Sequence, residues 1–296
     1  MVVAMVAALV AMLGVVRGAV AEGLKVVATF SILGDMARQV GGAHVQVTTL
    51  IGPNGDPHAY EPTPEDAGRL KEAKVVIANG LGLEGWMARL IAASGFQGQP
   101  VVASAGVKVR NLKGEGGRSS VDPHAWNSAA NGAIYVGNIV RAFVDADPAH
   151  AAAYQAHGAR YAAELERLDA HARARLAAIP ADRRRVLTTH DAFGYFADAY
   201  GLTLLSPLGF STGQEASAGG VAGVIRQIRE TGVRVYFLEN SGDPRLVEQI
   251  GAATGARSGG ALYVESLSAA DGPAATYRAL FEHNLDQVVR ALAAVP

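Results

Sequence analysis

The feature that most constrains the fold is a long helical segment near the middle of the chain. Residues 148–179 are rich in Ala, Leu, Arg and Glu, and after the first residue they contain no proline and a single glycine, Gly158. At a rise of ~1.5 Å per residue, a helix of about 30 residues is roughly 45 Å long, which exceeds one small lobe. We therefore predict a helix that links two separate units.

Short apolar runs typical of buried strands alternate with helical segments on both sides of this helix. The predicted strands before it are residues 24–30, 44–51, 74–80 and 100–106, and those after it are 185–190, 202–206, 233–240 and 261–265. Such alternation predicts parallel sheets with helices on both faces. We therefore predict an α/β protein with an N-terminal lobe at 22–147 and a C-terminal lobe at 181–296. One long rigid helix at 148–180 bridges the lobes, which favours a stiff clamp over a wide hinge.

The N-terminal segment has the features of an export signal. Residues 1–16 are apolar, and Ala19-Val20-Ala21 fits the small-x-small pattern that signal peptidase cleaves. The apolar run is shorter than the ~20 residues that span a membrane. Arg17 follows this run, whereas a signal peptide usually carries its basic residue first, so the true start codon is open. We expect residues 1–21 to be a signal peptide and the mature protein to be periplasmic.

Composition excludes several other classes of function. The chain has no cysteine, so it cannot form a disulfide framework, a cysteine zinc site, a thiol nucleophile or a lipoprotein anchor. Its formal net charge is −1 and it has no basic tract, so nothing in it favours binding to nucleic acid or to an anionic membrane.

Five of the eight histidines are expected to have no functional role. His150, His157 and His171 share one face of the predicted long helix, but they lie ~10 Å and ~21 Å apart along its axis. They cannot bind one ion together, because each ring nitrogen must approach a metal to within ~2.1 Å. His44 at a strand start and His283 in the last helix are also expected to be structural or solvated.

The other three histidines occupy a different context. His58, His124 and His190 each lie where a predicted strand gives way to a loop or helix, in "GDPHAYEP", "VDPHAWN" and "LTTHDAF". Two of them share the tripeptide Asp-Pro-His, in which proline makes the backbone stiff. Sites in open α/β sheets form beyond the carboxyl ends of strands. Any one of these histidines could equally pack a loop, but three together favour a metal site.

Carboxylates near the predicted strand ends are candidates for a fourth ligand. Glu239 and Glu265 both occupy such positions, and donor chemistry alone does not separate two glutamates. Asp56, Asp122 and Asp191 adjoin the three histidines in sequence. We expect them to hydrogen-bond ring N–H groups or backbone and so to orient the rings.

Several motifs resemble one family of transport proteins over essentially the whole mature chain. They are "VVATFSILGDMARQVGG", "GPNGDPHAYEPTPEDAGRLKEAKVVIANGLGLEGW", "DPHAWNS", "THDAFGYFADAYGL" and "DGPAATYRALFEHNLDQVV". Together they resemble the cluster A-I solute-binding proteins of zinc and manganese ABC transporters, the ZnuA/TroA-like family. Within it the chain looks most similar to the AztC-type zinc-binding branch.

The resemblance implies two lobes bridged by a rigid helix, with a metal in the cleft between them. It implies metal-ligand roles for His58, His124 and His190. Many members have an Asp as fourth ligand in the segment that matches "LYVES", where this chain offers Glu265. Zinc members often carry a histidine-rich loop before the second ligand motif, but residues 107–121 contain no histidine. We expect a mobile surface loop there, whose shortening leaves the affinity for zinc nearly unchanged.

The resemblance and the donor chemistry together predict a zinc carrier that is not an enzyme. Three neutral imidazoles and one carboxylate suit tetrahedral Zn²⁺, while manganese prefers more oxygen ligands. Manganese members resemble this chain but have a carboxylate where His190 stands. We expect a monomer that binds one Zn²⁺ as cargo and delivers it to an ABC permease in the inner membrane. A periplasmic metallochaperone is a further candidate partner.

Besides an adhesion or structural protein that uses metal only for stability, two alternatives stay open at this point. One is a manganese-binding member of the same family. The other is a zinc-dependent hydrolase that uses three His and a Glu, although the chain has no HExxH motif, nucleophile elbow or phosphate loop.

Overall fold

The computed structural model describes residues 23–113, 119–209, 212 and 217–294. The predicted signal peptide, residues 1–21, lies outside the described residues. Within the described ranges, no helix combines the length and the apolar character that crossing a bilayer requires.

The first half of the chain forms a four-stranded parallel sheet with helices around it. The strands are β1 (Leu24–Phe30), β2 (Val45–Ile51), β3 (Val75–Ala78) and β4 (Val101–Val102), in the order β2-β1-β3-β4. The helices are α1 (Ser31–Gly41), α2 (Pro64–Glu72), α3 (Met87–Ser94) and α4 (Ala129–Ala146). β1 and β3 are almost fully buried, as expected for central strands covered by helices on both faces.

Residues 107–121 are not simply the mobile surface loop that their composition predicts. Asn111–Lys113 (β5) and Ser119–Val121 (β6) pair as an antiparallel ribbon. Val107 before the ribbon is buried in the main core. Strands of three residues are too short to show an alternating pattern, so they were not predicted.

The predicted long helix is present as α5 (Ala151–Ala177), and a 3-10 turn, Pro148–His150, precedes it. The helix continues through Gly158. A Cβ atom at this position would lie 2.2 Å from Cγ2 of Val140 in α4. This glycine therefore allows α4 and α5 to pack closely. We propose residues 148–180 as the linking segment between the lobes at 22–147 and 181–296.

The second half forms another four-stranded parallel sheet. Its strands are β7 (Arg185–Leu187), β8 (Thr203–Leu205), β9 (Val235–Glu239) and β10 (Arg257–Leu262), in the order β10-β9-β7-β8. Its helices are α6 (Gly194–Tyr200), α7 (Ala218–Thr231), α8 (Arg245–Thr254) and α9 (Tyr277–Ala293). The long helix α5 packs against α1 and α4 of the first half and against α6 and α9 of the second. The predicted α/β fold class is confirmed.

The two halves also share a core. One large cluster of buried side chains includes Phe30 and Trp126 from the first half and Phe281 from the second. The indole Nε1 of Trp126 donates a hydrogen bond to Val264 O (2.8 Å), and the backbone N of Leu267 donates to Ser31 Oγ (2.9 Å). The segment after β10 thus packs directly on the first half.

The last strand of this sheet differs from its prediction. The expected strand at 261–265 begins and ends earlier, as Arg257–Leu262, so Glu265 lies in a loop beyond it. The neighbouring strand β9 ends at Glu239, the backbone N of Asn240 donates to Leu262 O (3.0 Å), and the ladder stops there. Side chains take over instead: the backbone N of Tyr263 donates to Asn284 Oδ1 (2.9 Å) and that of Val264 to Asn240 Oδ1 (3.1 Å).

Candidate metal centre

Four side chains converge between the two sheets: His58, His124, His190 and Glu265. One donor atom from each lies within 4.8 Å of all the others. Glu265 Oε1 is 2.9 Å from Nε2 of His190, 3.0 Å from Nε2 of His124 and 3.5 Å from Nε2 of His58. His58 is 7% exposed and the other three side chains are 0% exposed. Three ring nitrogens and one oxygen therefore share a small, dry space, which suits a divalent cation.

His58 enters the site from the loop that follows β2. The backbone N of His58 donates to Asp56 Oδ1 at 2.8 Å. The neighbouring carbonyl of Pro57 accepts a hydrogen bond from the indole Nε1 of Trp86 at 3.2 Å. The loop is thus held on both sides of the proline, and Asp56 acts on the backbone and not on the ring.

His124 follows β6 and is oriented by Asp122. Oδ1 of Asp122 accepts from both the backbone N (3.0 Å) and the ring Nδ1 (2.8 Å) of His124. A carboxylate of this kind fixes the proton on Nδ1 and aims Nε2 at the centre. The side-chain amide of Asn79 donates to Pro123 O at 2.9 Å and steadies the same loop.

His190 follows β7, and Glu239 at the end of β9 supports it. Nδ1 of His190 donates to Glu239 Oε2. Oε1 of Glu239 accepts from the backbone N of Thr189 (2.9 Å) and of His190 (3.1 Å). Both oxygens of Glu239 are therefore engaged on the far side of the His190 ring, away from the other histidines.

Glu265 is the glutamate that faces the three rings. Its Oε1 contacts their Nε2 atoms, and its Oε2 is buried without a hydrogen-bond partner among the described residues. A carboxylate with a spare buried oxygen can bind a cation through one or both oxygens, so the donor set fits a metal.

The electrostatics of the cluster are strongly coupled. Burial disfavours a charge on each group, yet the adjacent rings, His124 above all, hold the pKa of Glu265 well below its usual value. In turn, Glu265 and Asp122 outweigh burial and raise the pKa of His124 to about 9. Glu239 and Glu265 likewise raise the pKa of His190 well above its ordinary value. A metal must therefore displace protons from these rings, and its binding releases them.

The remaining five histidines lie outside this cluster. Nδ1 of His150 bonds Asp147 Oδ2 (2.7 Å), and its ring stacks on that of His44 at 4.1 Å between centroids. His157 bonds Val40 O through Nδ1, His283 bonds Ala261 O through Nε2, and His171 is exposed on α5.

One residue of the surroundings was missed in the sequence. Arg110 lies 2.9 Å from Asp122 Oδ2 and 3.4 Å from Asp191 Oδ1, so Asp191 bonds an arginine and not His190. In the sequence, the aspartates that adjoin the three histidines were the signal that could have indicated a nearby cation.

The comparisons with known proteins agree with this arrangement. Residues 26–291 match the family model ZnuA, described as zinc-uptake complex component A, periplasmic. The chain is 35% identical over 272 residues to the iron-binding protein YfeA of Yersinia pestis, covering 91% of this chain and 86% of that protein. It is 32% identical over 278 residues to the manganese-binding lipoprotein MntA of Bacillus subtilis, covering 92% and 90%.

A solved structure is also similar to this chain. The periplasmic zinc-binding protein TroA of Treponema pallidum has a TM-score of 0.84 and 29% identity, over 92% of this chain and 99% of that one. These names mention iron, manganese and zinc, so the similarity does not identify the metal that this chain binds. Membership of the AztC-type branch stays a prediction. The chain belongs to the ZnuA family of periplasmic metal-binding proteins, which are the substrate-binding components of ABC transporters and not enzymes.

Proposed function

We propose that this protein captures one Zn²⁺ per chain in the periplasm and delivers it to an ABC permease of the inner membrane. The observation that carries this proposal is the donor set: His58, His124, His190 and Glu265 present three imidazole nitrogens and one carboxylate oxygen to a single point. Such an N₃O set matches the tetrahedral sites that zinc prefers. Export through residues 1–21, a monomeric state and loading by a metallochaperone are parts of the same proposal.

His190 is the main reason to prefer zinc to manganese. It contributes a nitrogen from the C-terminal half, so nitrogen donors outnumber oxygen donors by three to one. Affinity for a nitrogen-rich site rises from manganese through iron towards zinc, and manganese is better served by carboxylates.

A manganese or iron carrier is the second candidate, and one observation favours it. Glu265 Oε2 is buried without a hydrogen-bond partner in the described part of the chain, so it is available for bidentate binding. Two carboxylate oxygens would raise the coordination number above four. Relatives named for manganese and iron binding are consistent with this alternative.

Metal analysis of the purified protein tests the proposal, followed by competition between Zn²⁺ and Mn²⁺ in the presence of a chromophoric chelator. We expect one zinc per chain and displacement of Mn²⁺ by an equal concentration of Zn²⁺. The variant His190→Asp should shift the preference towards Mn²⁺, because it replaces a nitrogen with oxygen donors. Retention of Mn²⁺ against equimolar Zn²⁺ by the unmodified protein would establish the second candidate instead.

A further inference from the structure

Arg110 joins the two halves of the protein beside the metal centre. Its Nη1 contacts Asp122 Oδ2 at 2.9 Å and Asp191 Oδ1 at 3.4 Å, and its Nε lies 3.3 Å from Asp198 Oδ2. The Arg110 side chain is 19% exposed, so most of it is shielded from water. Asp122 lies in the first half of the chain, while Asp191 and Asp198 lie in the second.

Both principal partners of Arg110 belong to loops that carry a proposed ligand. Asp122 uses its other oxygen, Oδ1, to hold the ring and the backbone of His124. Asp191 directly follows His190. One guanidinium therefore contacts the loop of a histidine from each half.

The charge of Arg110 also balances two carboxylates that face each other. Asp122 is 0% exposed and Asp191 is 14% exposed. Without the cation between them, two poorly solvated negative charges would repel each other across the junction of the two halves. That repulsion would separate the loops of His124 and His190.

The second half of the protein is shaped to receive this side chain. At Gly194, the first residue of α6, a Cβ atom would lie 2.0 Å from Nη1 of Arg110. The hydroxyl of the next residue, Tyr195, accepts from the backbone N of Arg110 at 2.9 Å. The guanidinium therefore occupies the space beside Gly194, and any side chain at position 194 would displace it from there.

We propose that Arg110 is a positioning residue that holds the loops of His124 and His190 together and thereby slows release of the bound metal. This inference rests on the proposed metal-binding role of the four clustered residues. The segment 107–121 would thus support the metal centre through Arg110, although it contains no histidine that could bind the metal itself. Loss of a residue that orients a metal ligand typically weakens binding by about 10–100-fold.

Two independent changes test it. Arg110→Gln removes the charge, and Gly194→Ala leaves the charge but displaces the guanidinium. The matched controls are Arg173→Gln and Gly137→Ala. Arg173 also pairs with an aspartate, Asp169 (2.8 Å), but touches neither ligand loop, and a Cβ at Gly137 would meet no atom within 4 Å.

The measurement is the rate of zinc release from each folded holoprotein into excess chelator, followed by stopped flow. We expect about 10–100-fold faster release for Arg110→Gln and Gly194→Ala, and wild-type rates for both controls. Arg110→Lys should fall between, because a lysine keeps the charge but lacks the planar fork. The visible spectrum of Co²⁺-loaded protein should change in the two test variants and not in the controls, since it reports ligand geometry and not stability.

Wild-type release rates and Co²⁺ spectra in folded Arg110→Gln and Gly194→Ala would overturn the inference. Faster release with an unchanged Co²⁺ spectrum would also overturn it, because that result indicates general loosening and not ligand positioning. The proposed function fails separately: in that case the unmodified protein binds no zinc, or His190→Ala binds it as well as the unmodified protein does.

Discussion

At the scale of single residues, the two buried glutamates at the centre have separate tasks. Glu265 Oε1 lies 2.9 Å from Nε2 of His190, on the side of the ring that faces the other histidines. Glu239 contacts Nδ1 on the opposite side of the same ring and accepts two backbone N–H groups. We therefore propose Glu265 as the fourth ligand and Glu239 as the residue that orients His190.

Truncation of each glutamate should give a different pattern of losses. Glu265→Ala should weaken zinc more than Glu239→Ala does, but it should not abolish binding, because three imidazoles remain and water can take the fourth position. Glu239→Ala should weaken zinc by about 10–100-fold. It should also lower the stability of the metal-free protein by about 1–3 kcal/mol, because buried N–H groups lose their acceptor.

Zinc titration and urea unfolding of both variants, beside the unmodified protein, check this pattern. If Glu239→Ala loses more zinc affinity than Glu265→Ala does, the two roles must be exchanged.

At the scale of elements, the loop that carries His58 ends in a capping box at the start of α2. Asp66 Oδ2 accepts from the backbone N and the hydroxyl of Thr63, both at 2.8 Å, and from the hydroxyl of Tyr60 at 2.6 Å. Burial alone would raise the pKa of Asp66, but these hydrogen bonds outweigh it and lower the pKa below its usual 3.8. The carboxylate therefore stabilises the fold above that pH, and the stabilisation is lost as the pH falls through the folded-state pKa.

Asp66→Asn should thus destabilise the protein in a pH-dependent way. At pH 7 we expect a loss of about 1–2 kcal/mol in the free energy of unfolding, because the amide group cannot accept all of these hydrogen bonds. The difference from the unmodified protein should begin to shrink below pH ~4, where Asp66 of the unfolded chain takes up a proton, and should continue to shrink as the pH falls towards the lower folded-state pKa. Urea unfolding at pH 7 and pH 3 measures both.

The control is Glu65→Gln, which removes an exposed first-turn carboxylate whose ion pair is with Arg69. It should cost no more than about 0.5 kcal/mol at pH 7. A pH-independent difference for Asp66→Asn would show that the ionised carboxylate is not what stabilises the helix start.

The crossing of α4 and α5 gives a second prediction at this scale. Gly158→Ala improves helix propensity by about 1 kcal/mol, but the new Cβ would collide with Val140, and overpacking costs about 1–3 kcal/mol. We expect a net loss of stability. Gly137→Ala in α4 has the same gain in propensity and no collision, so it should stabilise. Thermal unfolding of both variants decides the point: a stabilised Gly158→Ala would mean that the helices can separate at no cost.

At the scale of the whole molecule, the proposed ligands come from both halves, so metal binding should stabilise the assembled fold. Zinc at ~1,000 times its dissociation constant should add about 4 kcal/mol to the free energy of unfolding, with a rise in Tm on the order of 10 °C. Calorimetry with and without zinc measures this.

The triple variant in which His150, His157 and His171 are replaced by Ala should keep the full shift in Tm, and His190→Ala should lose most of it. Identical curves with and without zinc would contradict the proposed function.

Deletions within residues 107–121 should affect zinc affinity to different degrees, depending on which residues they remove. Composition alone predicts that any deletion there leaves zinc affinity nearly unchanged. The contacts of Arg110 with Asp122 and Asp191 limit this expectation to deletions that spare Arg110 and the paired strands. The reason is that the segment reaches the metal centre through an ion pair and not through a ligand.

Local sequence determined most of the architecture of this protein. Apolar runs of four to eight residues and the proline-free run after Pro148 predict strands and a linking helix, because each depends on near neighbours in the chain. The two Asp-Pro-His motifs and "LTTHDAF" likewise indicated three of the four side chains that converge.

Only the tertiary structure decided how these pieces act together. The backbone beyond β10 is held by the side chains of Asn240 and Asn284. The roles of Glu239 and Glu265 depend on which side of the His190 ring each carboxylate reaches. The position of Arg110 depends on carboxylates from both halves of the chain. These contacts join residues that are tens of positions apart in the chain. Their energies come from burial and charge in the folded protein, which no local pattern of residue types records.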